Sequence, residues 1–255
     1  MRARCADLEV SFHDLGRGEP LVLVHGLADD HRGWRHALPE LALRHRVLLY
    51  DLRGHGETTL GQADGTLRQL GEDLRELLDA LKIETAAVAG FSLGGTVAMR
   101  FALDHPERVR RLLLVATSSR VGRAAADWYR ERIALAEQQR LAPALEEDTR
   151  QQFEAAPQHF AGHWLMRSQS TADPRGYANA CRAMAALLEQ PLDPELPRLK
   201  APTLIVAAEL DRQCPVRAAE IIRAGVLHAR LEVIPACGHQ IPVEQPERLS
   251  ELMLA

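Results

Sequence analysis

Short apolar runs bounded by turn residues alternate along the chain with stretches of helical periodicity. The runs Leu8–Phe12, Leu21–Val24, Val47–Tyr50, Ala86–Ala89, Leu112–Val115, Thr203–Ala207 and Leu231–Ile234 predict strands. The later runs are continuous rather than alternating, the pattern of strands buried on both faces of a parallel sheet. Between them the spacing predicts helices over Arg32–Leu43, Leu67–Leu81, Thr96–Leu103, Val216–Ala224 and Pro246–Leu254. Strand–helix alternation with short connections implies right-handed βαβ units and an open α/β fold with a mostly parallel central sheet flanked by helices. The first two runs, joined through Gly16-Arg17-Gly18-Glu19-Pro20, predict a hairpin leading into the sheet.

From about Ser119 to Leu199 helical periodicity continues without a convincing strand. This predicts a two-part organisation, with a core of residues 1–118 and 200–255 and a helical cap, or lid, of residues 119–199. Such an insertion sits over the C-terminal edge of the sheet, where open α/β folds bind ligands. It holds six of the eleven aromatic residues: Trp128, Tyr129, Phe153, Phe160, Trp164 and Tyr177. They supply a small core for the cap, and Trp128, Phe160 and Trp164 are also candidates to face a substrate.

Chemistry enters at Ala89-Gly90-Phe91-Ser92-Leu93-Gly94-Gly95, directly after a predicted strand and before a predicted helix. A helix core avoids such glycine density, since each glycine costs about 1 kcal/mol against alanine. The pattern G-x-S-x-G in this setting is a nucleophile elbow, a turn so sharp that Ser92 stands clear of the sheet at a helix N-terminus. An alcohol is a poor nucleophile at neutral pH, so Ser92 needs a base, and the base needs a carboxylate to orient it. The chain order Ser, acid, His is met by Asp211, after the run Thr203–Ala207, and His239, after Leu231–Ile234. Glu209 is a rival acid, but it lies closer to its strand's end. An oxyanion needs two N–H donors; Leu93, next after the serine, gives one, and Leu27 in the loop His25-Gly26-Leu27 is the candidate for the other. His25 is expected to brace that loop rather than act chemically.

With these residues in place the chain resembles α/β-hydrolase-fold serine hydrolases over nearly its whole length. Besides the elbow, the segments VHGLADD, YDLRGHGET, ELDRQCP and CGHQIPVEQPERL carry the resemblance. It is nearest to the branch of 3-oxoadipate enol-lactonase-like and small-ester hydrolases. The resemblance implies cofactor-independent hydrolysis of a small carboxylic ester or lactone through an acyl-enzyme on Ser92, with His239 and Asp211 completing the triad. Carbon–carbon bond hydrolysis, lyase chemistry or perhydrolysis with the same triad stays open, as does a non-catalytic receptor on this fold. Phe91, where ring-cleavage hydrolases usually carry Asn, counts against the first of these; the presence of His239 counts against the receptor. In YDLRGHGET, His55 is expected to sit solvated in a structural turn.

Composition narrows the partners. The net charge of −4 over 255 residues gives no reason to expect a nucleic-acid partner. No apolar run approaches the roughly 18 residues of a membrane span, and the N-terminal segment lacks a signal-like stretch. Cys5, Cys181, Cys214 and Cys237 lie far apart, which fits a reducing, cytoplasmic setting rather than zinc or a disulfide framework. His159 and His163 sit four apart but lack the glutamate and third ligand of a zinc helix, so no metal and no cofactor is expected. Cys237, two residues before His239, is expected to be a buried thiol rather than a reactive one. The expected partner is a small-molecule ester or lactone, and the oligomeric state is left unknown.

Overall fold

Residues 1–154 and 156–255 are described by a computed structural model. Strands β1 (Arg2–Cys5), β2 (Leu8–Gly16), β3 (Pro20–Val24), β4 (Arg46–Tyr50), β5 (Ala86–Phe91), β6 (Val109–Val115), β7 (Thr203–Ala208) and β8 (Arg230–Ile234) form one sheet. Its order is β1-β2-β4-β3-β5-β6-β7-β8, antiparallel as far as the β2–β4 pair and parallel from β4 to β8. Helices α1 (Leu38–Ala42), α2 (Leu67–Ala80) and α3 (Leu93–Asp104) follow β3, β4 and β5, while α8 (Val216–Gly225) lies between β7 and β8. The chain ends in α9 (Ile241–Glu244) and α10 (Pro246–Leu254).

The continuous apolar runs behave as their pattern predicts except in β8, which lies at the sheet edge with Leu231 half-buried and Val233 exposed. In β3, Val22 and Val24 join one core with α2 and α3, while Leu21 and Leu23 join a second core against α1 and α10. Both faces of the central strands are therefore buried, and each large side chain so enclosed contributes roughly 1.5–3 kcal/mol. Helix α2 begins where Thr66 accepts a hydrogen bond from the Gln69 N–H at 3.1 Å, and it buries Leu67, Leu70, Leu74, Leu77 and Leu78.

Two expectations are corrected. The predicted hairpin between the first two runs does not form: β2 pairs with β1 and β4, and β3 pairs with β4 and β5. The almost wholly buried β4 takes the place between β2 and β3, leaving the polar end of β2 half-exposed; the hairpin that does form joins β1 to β2 through Ala6 and Asp7. Likewise Arg32–Leu43 is not one helix but a 3-10 turn at His31–Trp34 and the short α1. Pro39 lies within that stretch, and proline in a helix interior removes a hydrogen bond and clashes with the preceding turn.

Between β6 and β7 the chain makes four helices, α4 (Arg123–Glu137), α5 (Leu141–Gln152), α6 (Phe160–Ser170) and α7 (Pro174–Ala185), and no strand among the described residues. Its two stems meet: the Leu192 N–H donates to the Ser119 carbonyl at 2.8 Å. Helices α4 and α7 pack together over a small apolar cluster that includes Leu141, Leu145, Tyr177 and Cys181. No described helix is long and apolar enough to cross a membrane.

Candidate active site

Strand β5 delivers Ser92 in a backbone conformation that side chains rarely adopt, with φ 52° and ψ −121°. Such strain costs about 1–3 kcal/mol and persists only where neighbours over-determine it. Here the Ser92 N–H donates to the Val115 carbonyl at 2.9 Å, and the Ser92 carbonyl accepts from Gly95 N–H at 2.9 Å and Thr117 Oγ at 2.7 Å. The flanking glycines are a matter of space. A Cβ at position 90 would overlap the Gly94 carbonyl, and one at position 94 would overlap the Val24 carbonyl. Ser92 thus stands at the N-terminus of α3.

The ends of β7 and β8 bring two more groups to it. His239 Nε2 lies 3.1 Å from Ser92 Oγ, and His239 Nδ1 lies 2.7 Å from Asp211 Oδ2. With Nδ1–H donating to the carboxylate, Nε2 is left to accept the Ser92 proton. The other Asp211 oxygen accepts the N–H groups of Gln213 and Cys214 at 2.8 and 2.9 Å. Burial alone would raise the Asp211 pKa; the charge and hydrogen bond of His239, with those two N–H groups, outweigh it and hold the carboxyl below its ordinary range. Glu209, the rival acid, instead accepts the Ala236 N–H at 2.8 Å and so braces the loop carrying His239. Glu244 clamps that loop from α9, accepting the N–H groups of Gly238 and Gln240, on either side of His239, at 2.8 and 3.0 Å.

Leu27 and Leu93 both line the pocket over Ser92, and neither N–H has an acceptor among the described residues. Leu27 is held from two sides. His25 Nε2 accepts the Leu52 N–H at 2.9 Å while its Nδ1–H reaches the Gly26 carbonyl at 2.8 Å, which fixes the tautomer and the loop. From α6, Arg167 donates to the Leu27 carbonyl at 3.3 Å and to Asp29 Oδ1 at 2.9 Å. Ser170 adds a bond to the Asp29 carbonyl at 2.6 Å. Asp29 is buried, which by itself would raise its pKa; Arg167 and His163 overcome this and keep it ionised. One turn further on, Asp51 receives His31 Nδ1–H at 2.7 Å and the Glu57 N–H at 3.1 Å. Against the effect of burial, the ring and backbone N–H groups of His31 hold Asp51 down at about 2, and Asp51 in turn raises His31.

The pocket holds about 310 Å³ and is closed on the insertion side by Trp128, Tyr129, Leu145, Arg167 and Tyr177. Of the three candidate aromatics, Trp128 lines it, while Phe160 and Trp164 do not. Trp164 packs on the small apolar cluster of the insertion and faces an outer groove beside Leu141 and Pro174. Phe160 lies under the Arg150 guanidinium, 4.2 Å from its ring centre. Tyr177 and Arg167 were not singled out for the pocket by the sequence. Their neighbours lie on other helices, and no local spacing marks them.

Three smaller expectations are resolved in the same region. His55 is 1% exposed rather than solvated, and burial pushes its pKa down to about 4, so it is neutral. The His163 ring turns Nε2 to Asp29 at 3.2 Å, and the rings of His159 and His163 both lie against Phe153. Cys237 is fully buried, with its thiol pushed up to about 12 by burial. Asp30, His31 and Asp51 bring ligand atoms within 4.8 Å of one another, but Asp30 is spent on the Arg32 fork and Asp51 on His31 and Glu57.

Comparison with known proteins fits this geometry. A family described as the alpha/beta hydrolase fold matches residues 19–246. The 3-oxoadipate enol-lactonase 2 of Acinetobacter baylyi is 27% identical over 98% of this chain and 93% of its own. Among solved structures, the enol-lactonase from Burkholderia xenovorans superposes with a TM-score of 0.91 at 25% identity, covering 100% of this chain and 98% of that one. A thermophilic esterase from Thermogutta terrifontis, solved with malate bound, gives 0.89 at 28% identity, with 100% and 96% covered.

Proposed function

This chain belongs to the alpha/beta hydrolase fold family, and from that membership we propose that it hydrolyses a small carboxylic ester or lactone through an acyl-enzyme on Ser92. The observation that carries the reading is the hydrogen-bonded run from Ser92 Oγ through His239 to Asp211, at 3.1 and 2.7 Å. As Ser92 Oγ attacks the carbonyl carbon, His239 Nε2 takes its proton, and Asp211 stabilises the imidazolium and keeps its orientation. The carbonyl oxygen becomes an oxyanion, which the Leu27 and Leu93 N–H groups receive at the positive end of α3. When the tetrahedral adduct collapses, the C–O bond to the leaving alcohol breaks and His239 returns the proton to that oxygen. Water, deprotonated by His239, then attacks the acyl-enzyme and releases the acid. With a lactone, alcohol and acid remain one molecule. The insertion of residues 119–199 acts in this scheme as the cap over the acyl group.

The similarity to lactonases and an esterase supports this bond type. A fluorophosphonate probe tests the nucleophile, and a panel of p-nitrophenyl esters and lactones tests the bond. Covalent labelling at Ser92 together with ester or lactone turnover is expected. A protein that neither labels nor turns over any member of the panel is not a serine hydrolase, and labelling with turnover of carbon–carbon substrates alone would reassign the bond.

A further inference from the structure

The cap end of the Ser92 pocket carries more polar surface than ester chemistry requires. Tyr177, on α7, lines the pocket and is 1% exposed, yet its hydroxyl has no oxygen or nitrogen partner among the described residues and only the weakly accepting Cys181 thiol, one turn on, beside it. A buried donor left unmet is costly, about 1–3 kcal/mol. Arg167 lines the same pocket at 4% exposure. Of the five N–H groups of a guanidinium, it gives three to described residues: Asp29 at 2.9 Å, Thr149 at 3.2 Å and the Leu27 carbonyl at 3.3 Å. Two remain uncommitted.

The charges at this end cancel in pairs. Arg167 is matched by Asp29, and Asp148, which also lines the pocket, is gripped by Arg132 through two bonds of 2.8 Å. What the pole offers is hydrogen bonding without net charge. Its position assigns it to one half of the substrate. His239 must hand its proton to the leaving oxygen, so the alcohol departs on the His239 side, where a wider cleft bounded by Glu209, Gln213 and Glu244 adjoins. The acyl chain then runs the other way, past Trp128 and Leu145 toward Tyr177.

Resting on the serine-hydrolase reading, we propose that the Tyr177 hydroxyl and the spare Arg167 N–H groups bind a neutral acceptor oxygen, keto or hydroxyl, carried by the acyl chain of the substrate. A plain alkyl chain leaves these donors unmet. A carboxylate brings an unbalanced charge into a pole whose charges are already paired.

Phenyl esters of hexanoic acid, of oxohexanoic acids with the ketone at carbon 4 or 5, and of adipic acid as its half-ester share one leaving group and differ only at this pole. Fluorophosphonate titration of Ser92 counts the competent sites. The better keto ester is expected to exceed both the hexanoate and the half-ester in kcat/KM by at least about tenfold. Tyr177→Phe, which deletes only the hydroxyl, is expected to lower the keto-to-hexanoate ratio by about tenfold; being a ratio, it is unaffected by partial misfolding. Equal rates for keto and alkyl esters, a preference for the half-ester, or a Tyr177→Phe variant that slows both esters by one factor would each overturn the proposal. If Ser92 labels and the hexanoate turns over without a keto preference, this inference alone fails. If Ser92 neither labels nor hydrolyses any of the esters, the underlying reading falls with it.

Discussion

At the scale of single residues, strain and proton position carry the proposed chemistry. Ser92→Ala is expected to fold, to lose fluorophosphonate labelling, and to lose at least about 10³-fold in kcat/KM. Asp211→Asn should lower kcat sharply with KM little changed, because an amide no longer holds Nδ1–H toward itself and Nε2 toward Ser92. Glu209→Gln should leave kcat close to wild type, since Glu209 only accepts the Ala236 N–H; the reverse result in steady-state kinetics would exchange the two acids. The pocket walls give a second contrast. Trp128→Ala should change the order of preference among short and bulky acyl esters, whereas Phe160→Ala and Trp164→Ala should preserve it, because both rings lie outside the pocket. A chain-length series for each variant, with melting curves alongside, reads this out. Ser92, Asp211 and His239 were legible in the sequence because a turn motif and a fixed chain order mark them. Arg167 and Tyr177 were not, because what distinguishes them is a partner, or the lack of one, across helices far apart in the chain.

Elements were legible where one local pattern decided the outcome. Helix α10 spans Pro246–Leu254 as its periodicity and leading proline predict, and α2 differs from expectation by a single residue at its end. The β2–β3 hairpin does not form because strands adjacent in the chain are not adjacent in this sheet, where β4 lies between them. A strand as apolar as β4 needs a partner on each side, and that demand is visible only once the whole sheet is assembled. The contact between His31, in the loop after β3, and Asp51, next after β4, yields a pH prediction at this scale. Asp51 has a lowered pKa in the folded protein, so its contribution to stability is present above its unfolded value near 4 and fades as pH falls toward about 2. His31 has a raised pKa, so its contribution is complete below about 6.5, its unfolded value, and is lost as pH rises through the folded one. Asp51→Asn should therefore cost most between about pH 4 and 6.5, on the order of 2 kcal/mol, and less on either side. Urea midpoints for both proteins across pH 2.5 to 9 check this; a difference that is flat with pH would refute the assignment.

Across the whole molecule, the segment between β6 and β7 is joined to the rest both by apolar packing, with Ala180, Ala183 and Met184 of α7 in the core shared with α2 and α3, and by a buried ion pair. Arg167 of α6 and Asp29 of the β3 loop are both nearly inaccessible to water, and the same arginine supports the Leu27 carbonyl. Arg167→Met should cost about 3–5 kcal/mol, since it leaves a buried carboxylate without its main partner. Adding Asp29→Asn should restore part of the loss, and a double-mutant cycle in urea measures the coupling. If the two single losses simply add, the pair does not join insertion to core.

The hydrogen bond between the two stems of the insertion has a consequence for how this architecture can change. Strands β6 and β7 are neighbours, so the core itself holds the two attachment points side by side, whatever lies between them. The entropy of closing the intervening chain then depends only weakly on its length, with each doubling adding about 0.6 kcal/mol. Residues between Ser119 and Leu192 are therefore expected to tolerate exchange, provided that the replacement keeps the apolar face that Ala180, Ala183, Met184 and Leu187 give to the main core. A foreign helical segment spliced at those two positions should leave Ser92 reactive toward fluorophosphonate, provided it returns an arginine to Asp29. New acyl preferences could then be grafted onto an untouched proton relay.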